Sequence, residues 1–292
     1  MKKIIGVICT ILGFLAIALL ITIGVEYYDN KNISYQAVTY ELKYKEKLNI
    51  EADICNLSFE NKDSDKFELS YYTSKKLKYA FLENDDSVTI SSKFSKYWFS
   101  KNTLNTNYFD LKITGPLANL SLNIKTGELL LDGYTLNDLH VDATTFNLDI
   151  KNSQIKNLKV KYSTGDFSIS DSVVDNISLD NKTSNIAVND VTSRSINLNI
   201  STGKIRLINT KAFDYLISAK TSNISFNGYI DNSFKASSTT GDIYLDVNGK
   251  KEDFKLSGKT TVGNVSFAEQ NTGNKSIDLK TTTGNLKINF FE

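Results

Sequence analysis

Few of the residues that carry covalent or metal chemistry occur in this chain: of 292 positions, two are cysteine and one is histidine. Cys9 lies in an N-terminal apolar run and Cys55 at a predicted strand turn, so a disulfide framework is excluded. A zinc site or a histidine-based catalytic dyad would have to be built around His140 alone. No cofactor or metal is expected. Proline occurs once, which excludes collagen-like order. There is no excess of either charge: formal net charge is +1, and setting aside Lys2 and Lys3 leaves 32 basic against 33 acidic side chains. A nearly neutral, interspersed surface argues against nucleic acid as partner, because counterion release needs a basic stripe.

What is present begins with a long apolar run. Ile4 to Val25 is 22 residues without a charge, and at 1.5 Å per residue it reaches roughly 33 Å, enough to cross a hydrocarbon core. Lys2 and Lys3 precede it; Glu26, Tyr27, Tyr28 and Asp29 follow. The positive-inside rule predicts a single-pass transmembrane helix with residues 1–3 as a cytoplasmic stub and everything after Val25 outside the cell membrane. A cleaved signal peptide is the alternative, since Ala16-Ile17-Ala18 has the small-x-small form, but cleavage there would leave an apolar stump.

The rest of the chain repeats itself. A Thr-Gly or Thr-Ser dipeptide recurs with its second member at Gly127, Phe146, Gly165, Ser184, Gly203, Ser222, Gly241, Gly263 and Gly284. The first six steps are 19 residues each and the last two are 22 and 21. Glycine alternates with another residue through the regular part, giving a 38-residue super-repeat. With the second member as position zero, slots −7, −5, −3, +2 and +4 are apolar or Tyr in 40 of 45 cases. The exceptions are Asn181, Ser238, Gly258, Thr260 and Thr281. The intervening slots −6, −4 and +3 are apolar or Tyr in 4 of 27, at Leu130, Ala187, Leu216 and Tyr244. Alternation of that quality predicts strands with one buried face. Inward parity breaks at the dipeptide, so a corner is expected there, with Asn or Asp at +1 (Asn147, Asp166, Asn185, Asn223, Asp242) suited to a turn.

One motif every 19 residues points to a β-solenoid, parallel β-helix-like, and away from a sandwich of alternating hairpins. The predicted organisation is therefore an all-β solenoid over 117–292. An irregular β cap with degenerate coils over 26–116 precedes it, behind the transmembrane helix at 4–25. Leu48, Ile50, Ala52, Leu57 and Phe59 fit the template with Cys55 at position zero. The chain stops at Phe290-Phe291-Glu292, which predicts an uncovered edge at the far end, a docking surface or an aggregation hazard.

The units Lys-Thr-Gly-Glu-Leu-Leu-Leu (125–131), Ser-Thr-Gly-Asp-Phe-Ser-Ile (163–169), Thr-Thr-Gly-Asp-Ile-Tyr-Leu (239–245) and Thr-Thr-Gly-Asn-Leu-Lys-Ile (282–288) resemble those of the bacterial putative-adhesin family of β-strand-repeat envelope domains of unknown function, over roughly residues 40–292. The resemblance implies a β-solenoid-like fold and an envelope location, and it carries over no catalytic residue. Ser or Phe in place of Gly at alternate corners departs from the family pattern.

Candidate sites are few. Asn61-Lys62-Asp63-Ser64-Asp65-Lys66 has the look of a calcium loop but lacks its Gly and its terminal Glu, so a polar hairpin turn is expected; Asn84-Asp85-Asp86-Ser87 reads as another turn. Asp166 and Asp242 alternate with Asn, which predicts a hydrogen-bonded ladder and no metal row. His140 occupies an outward slot. Lys96, Tyr97, Trp98, Phe99 and Lys101, followed by Tyr108 and Phe109, form the one patch with binding character, for sugars or lipid headgroups. The expected function is that of a membrane-anchored, non-catalytic, adhesin-like interaction, scaffold or sensor module. Its expected partners are the membrane, through the N-terminal helix, and a cell-wall polymer or envelope protein. A polysaccharide-active enzyme on a β-helix is the alternative, but it needs loop walls, and the inserts after Gly241 are two or three residues.

Overall fold

A computed structural model describes residues 34–94 and 106–291. The expected anchor and cytoplasmic stub lie outside the described residues, and among those described no helix is long and apolar enough to cross a membrane. Fifteen strands form a single sheet wound into rungs. They are β1 Gln36–Lys43, β2 Lys47–Glu60, β3 Lys66–Thr73, β4 Leu77–Glu83, β5 Ser87–Phe94, β6 Asp110–Thr114, β7 Asn119–Asp132, β8 Thr135–Lys151, β9 Gln154–Thr164, β10 Phe167–Thr240, β11 Ile243–Asn248, β12 Phe254–Val262, β13 Val265–Ser266, β14 Lys275–Thr283 and β15 Leu286–Phe291. β10 is unbroken because its ladder continues around corners through several rungs.

Parallel pairing at an offset of 19 places Gly127 beside Phe146, Thr145 beside Thr164 and Thr164 beside Thr183. The expected stack of near-copies is present. Inward slots bury a continuous apolar column that includes Leu122, Val141, Val160, Leu179, Leu198, Ile217 and Ala236. Each fully buried Leu or Ile contributes roughly 1.5–3 kcal/mol. That is too little for one rung to offset its own ordering entropy, so a rung is stable only against neighbours.

The burial pattern shows a second corner that the five-slot template does not contain. Slots +7 and +9 also point inward, as Tyr134, Leu136, Ser153, Ile155 and Val174 show. Between the two inward sets, at +6, stand Gly133, Asn152, Asp171, Asp190, Asn209 and Gly228, all with positive φ. Asn and Asp tolerate that left-handed backbone and their side chains bond along the stack, Asn152 to Asp132 at 2.8 Å and Asn209 to Asp190.

The Thr-Gly corner explains its own alternation. At non-glycine rungs position zero faces inward: Cys55, Phe146, Ser184 and Ser222 are all buried. The carbonyl of each lies beneath the next glycine, so that a Cβ on Gly165 would stand 1.8 Å from the Phe146 oxygen and one on Gly203 1.8 Å from that of Ser184. The departure from the family pattern is thus a two-rung packing unit. Polar residues in slot −3 serve the same corner: Ser238 donates to the Ser222 carbonyl at 3.0 Å and Thr281 to that of Gly241 at 3.2 Å. Buried without partners of opposite charge, the Cys55 thiol is pushed far up by desolvation. We expect thiol reagents to leave Cys55 unmodified in native protein and to label it only after denaturation, as followed by mass spectrometry.

Both ends of the stack depart from chain order. β2 pairs with β7 on one side and with β5 and β6 on the other, so the first coil in sequence is second in the stack. β5 and β6 together form the rung beneath it. β4 on β5 and β1 on β3 on β6, however, are antiparallel and form a true cap. The loop 61–65 joins β2 to β3, which do not pair with each other, so it is a connection and not a hairpin. The 84–87 turn does close a hairpin, with the Asn84 N–H donating to Ser87 at 2.9 Å.

At the far end β14 and β15 insert between the Gly241 rung and β12–β13. The expected uncovered edge after Phe291 is therefore corrected: the last coil is interior, and the 254–266 coil is outermost. Its interior slots explain why. Gly258 and Thr260 fill them poorly, and the Phe267 ring lies where a Gly258 Cβ would stand. Gln270 then closes an antiparallel bridge with Leu256 and donates from its side chain to the Phe254 carbonyl at 2.9 Å.

Candidate functional site

The sequence-predicted patch of Lys96, Tyr97, Trp98, Phe99 and Lys101 falls outside the described residues. Its aromatic flanks are packed into the cap: Phe94 meets Phe109 edge-on at 5.2 Å, and Tyr108 stacks on Tyr35 at 4.0 Å. His140 is half-buried on an outward slot between Ser121 and Lys159, with no group of metal-binding residues around it among those described.

The +1 and +3 slots line a shallow groove of about 500 Å³ with Asp110, Glu128, Asp149 and Asp166. Asp110 and Asp166 are engaged by asparagines of neighbouring rungs, and Asp149 pairs with Lys151 through one oxygen. Asn147 accepts from the Asp166 N–H at 3.0 Å, and Asp166 accepts from the Asn185 backbone and side chain at 3.1 and 3.0 Å. Asp242 and Asn285 repeat the pattern. The expected Asn–Asp ladder is therefore present, and its carboxylates hold neighbouring rungs in register.

A different surface is strongly basic. Near the capped end, β2, β4, β5 and β7 enclose a cleft of about 1150 Å³. Its walls carry Lys75, Lys76, Lys78, Lys93 and Lys125 against only Glu51 and Asp53. The antiparallel β4–β5 register places Lys78 directly opposite Lys93. Like charges in that position disfavour the sheet, so the pairing costs stability that a structural strand pair would avoid. Next in line, Asp53 takes a hydrogen bond from Lys125 and one from the Phe94 N–H. The Lys125 bond holds the Asp53 carboxyl below the usual carboxylate range, against the opposing effect of burial. Lys75, Lys78 and Lys93 form no ion pair among the described residues.

Behind this wall, on the inward face of β4 and β5, the paired Tyr79 and Ser92 carry buried oxygens without hydrogen-bond partners, as do Tyr134, Asp149 and Asp278 along the solenoid. Sequence reasoning missed this site because its residues are spread over four strands, three of them in the irregular region. The available signal was the density of lysine in Lys75-Lys76-Leu77-Lys78.

Ladders on the outside and a dry apolar column within define a capped parallel β-solenoid whose repeated motif is structural. The chain belongs to the Toastrack DUF4097 family, whose model matches residues 45–289. Among solved structures it is similar to a putative adhesin from Parabacteroides merdae, at 11% identity and a TM-score of 0.55, covering 87% of this chain and 96% of the other. It is also similar to a putative lipid-binding protein from Parabacteroides distasonis, at 17% identity and a TM-score of 0.50, covering 88% and 97%. At those identities the likeness is one of fold. None of the curated proteins matches the chain.

Proposed function

We propose that this chain is a non-catalytic interaction module held at the outer face of a cell membrane, presenting a stiff solenoid to an envelope polymer or protein. The observation that carries the reading is the division of charged groups. Along the solenoid Asn and Asp side chains bond to one another in ladders, and the cleft near the cap gathers five lysines against two acids. An outward orientation is supported by Lys2 and Lys3 ahead of the apolar run Ile4–Val25. The resemblance in fold to a protein described as an adhesin agrees with a surface role.

Protease added to intact cells tests the location. The expected result is loss of an epitope placed in the solenoid while a cytoplasmic marker survives. Protection until the cells are lysed would refute an outward-facing domain.

A further inference from the structure

We propose that the lysine cleft between β2, β4, β5 and β7 binds a phosphodiester-linked anionic polymer, a sugar- or polyol-phosphate chain of the kind found at cell surfaces. The inference deepens the surface-module reading and rests on it for the ligand's source. Two features converge on the same space. Five lysines face two acids across it, and one of those acids is already held by Lys125. Lys78 and Lys93 stand opposite each other although like charges repel, an arrangement that an anion lying between them would relieve.

The shape selects a polymer over a lipid surface. The cleft volume of about 1150 Å³ exceeds what a single phosphate or headgroup fills. Among the described residues none of the exposed large apolar side chains, Leu82 and Tyr40 among them, lines it, so the described rim offers charge and not an apolar wedge. Lysine suits the role as a compact, flexible point charge able to follow successive phosphates.

The test uses the full chain in a neutral detergent and a fluorescent poly(glycerol phosphate) oligomer, with binding read by anisotropy over a salt series. Binding that weakens with salt is expected. The Lys75→Ala/Lys78→Ala/Lys93→Ala variant should lose at least tenfold in affinity, and its log–log salt slope should fall by roughly 2, at about 0.7 per phosphate contact on a single-stranded polyanion. Asp53→Asn should bind more tightly, because it removes one of the cleft's two negative charges. Short-chain phosphatidylglycerol and inorganic phosphate serve as competitors.

Equal binding by the triple-lysine variant and the parent overturns the proposal, as does preference for the soluble lipid over the polymer. Loss of polymer binding alongside intact protease accessibility on cells would sink this site and leave the surface reading standing.

Discussion

Gly203→Val should destabilise the solenoid by about 4 kcal/mol or more, a loss that few single substitutions reach. A Cβ at Gly203 would lie 1.8 Å from the Ser184 carbonyl oxygen and 2.7 Å from its carbon. Both are backbone atoms fixed by ladders on either side, so no side-chain rotation can relieve the overlap. The φ of +146° adds strain of roughly 1–3 kcal/mol for a residue with a side chain. Gly133→Ala is the matched control: its φ is +75°, yet no atom lies within 4 Å of the added carbon. It should cost only about 1–2 kcal/mol, the ordinary price of a left-handed residue. Denaturant midpoints with the slope held constant would measure both, and hydrogen exchange would locate the loss at the Ser184, Gly203 and Ser222 rungs. A Gly203→Val protein as stable as the Gly133→Ala protein would mean that the rungs do not sit one above another at this corner.

Removal of Lys275–Phe291 should unravel two rungs and not one. β14 is the partner of both β10 and β12, and β15 of both β11 and β13. Without them the 254–266 coil has no neighbour except by moving onto the Gly241 rung. Such docking would set Gly258 and Thr260 beside Ala236 and Ser238, all of them small, and leave unfilled the space that Leu279 now occupies between Ala236 and Gly258. The expected outcome is loss of exchange protection throughout Phe254–Ser266, together with newly exposed Ile243, Leu245 and Val247. Retained protection over Phe254–Ser266 would show that the outer coil can re-seat itself and that the interleaved order is not what holds it.

The central repeat was legible because period-2 burial and the 19-residue step report on the same physical fact, a side chain hidden on a copy of itself. Slots −7 to +4 suffice to read it from Gly127 to Gly241. The second corner escaped notice because Gly, Asn and Asp at +6 share a backbone requirement and not a hydropathy, so a pattern of greasy residues passes over them. Stacking order at the ends was hidden for another reason. Pairing partners 40 and 43 residues apart leave no periodic trace, and only the poor interior residues Gly258 and Thr260 hinted that their coil belongs outermost. The cleft was the least legible part. Its lysines are ordinary solvent residues until the cap lays β4 and β5 beside β2, while the aromatic patch at 96–101 lies outside the described residues.

The interleaving of the final coil has a mechanical side. In a simple spiral, a pull on the last strand would peel it from one neighbour a few bonds at a time. Here a tug at Phe291 must slide β15 past both β11 and β13 and drag β14 from between two more strands. Two seams have to give way together, so tension applied at that end meets a knot-like resistance that the contact chemistry of any single rung would not provide.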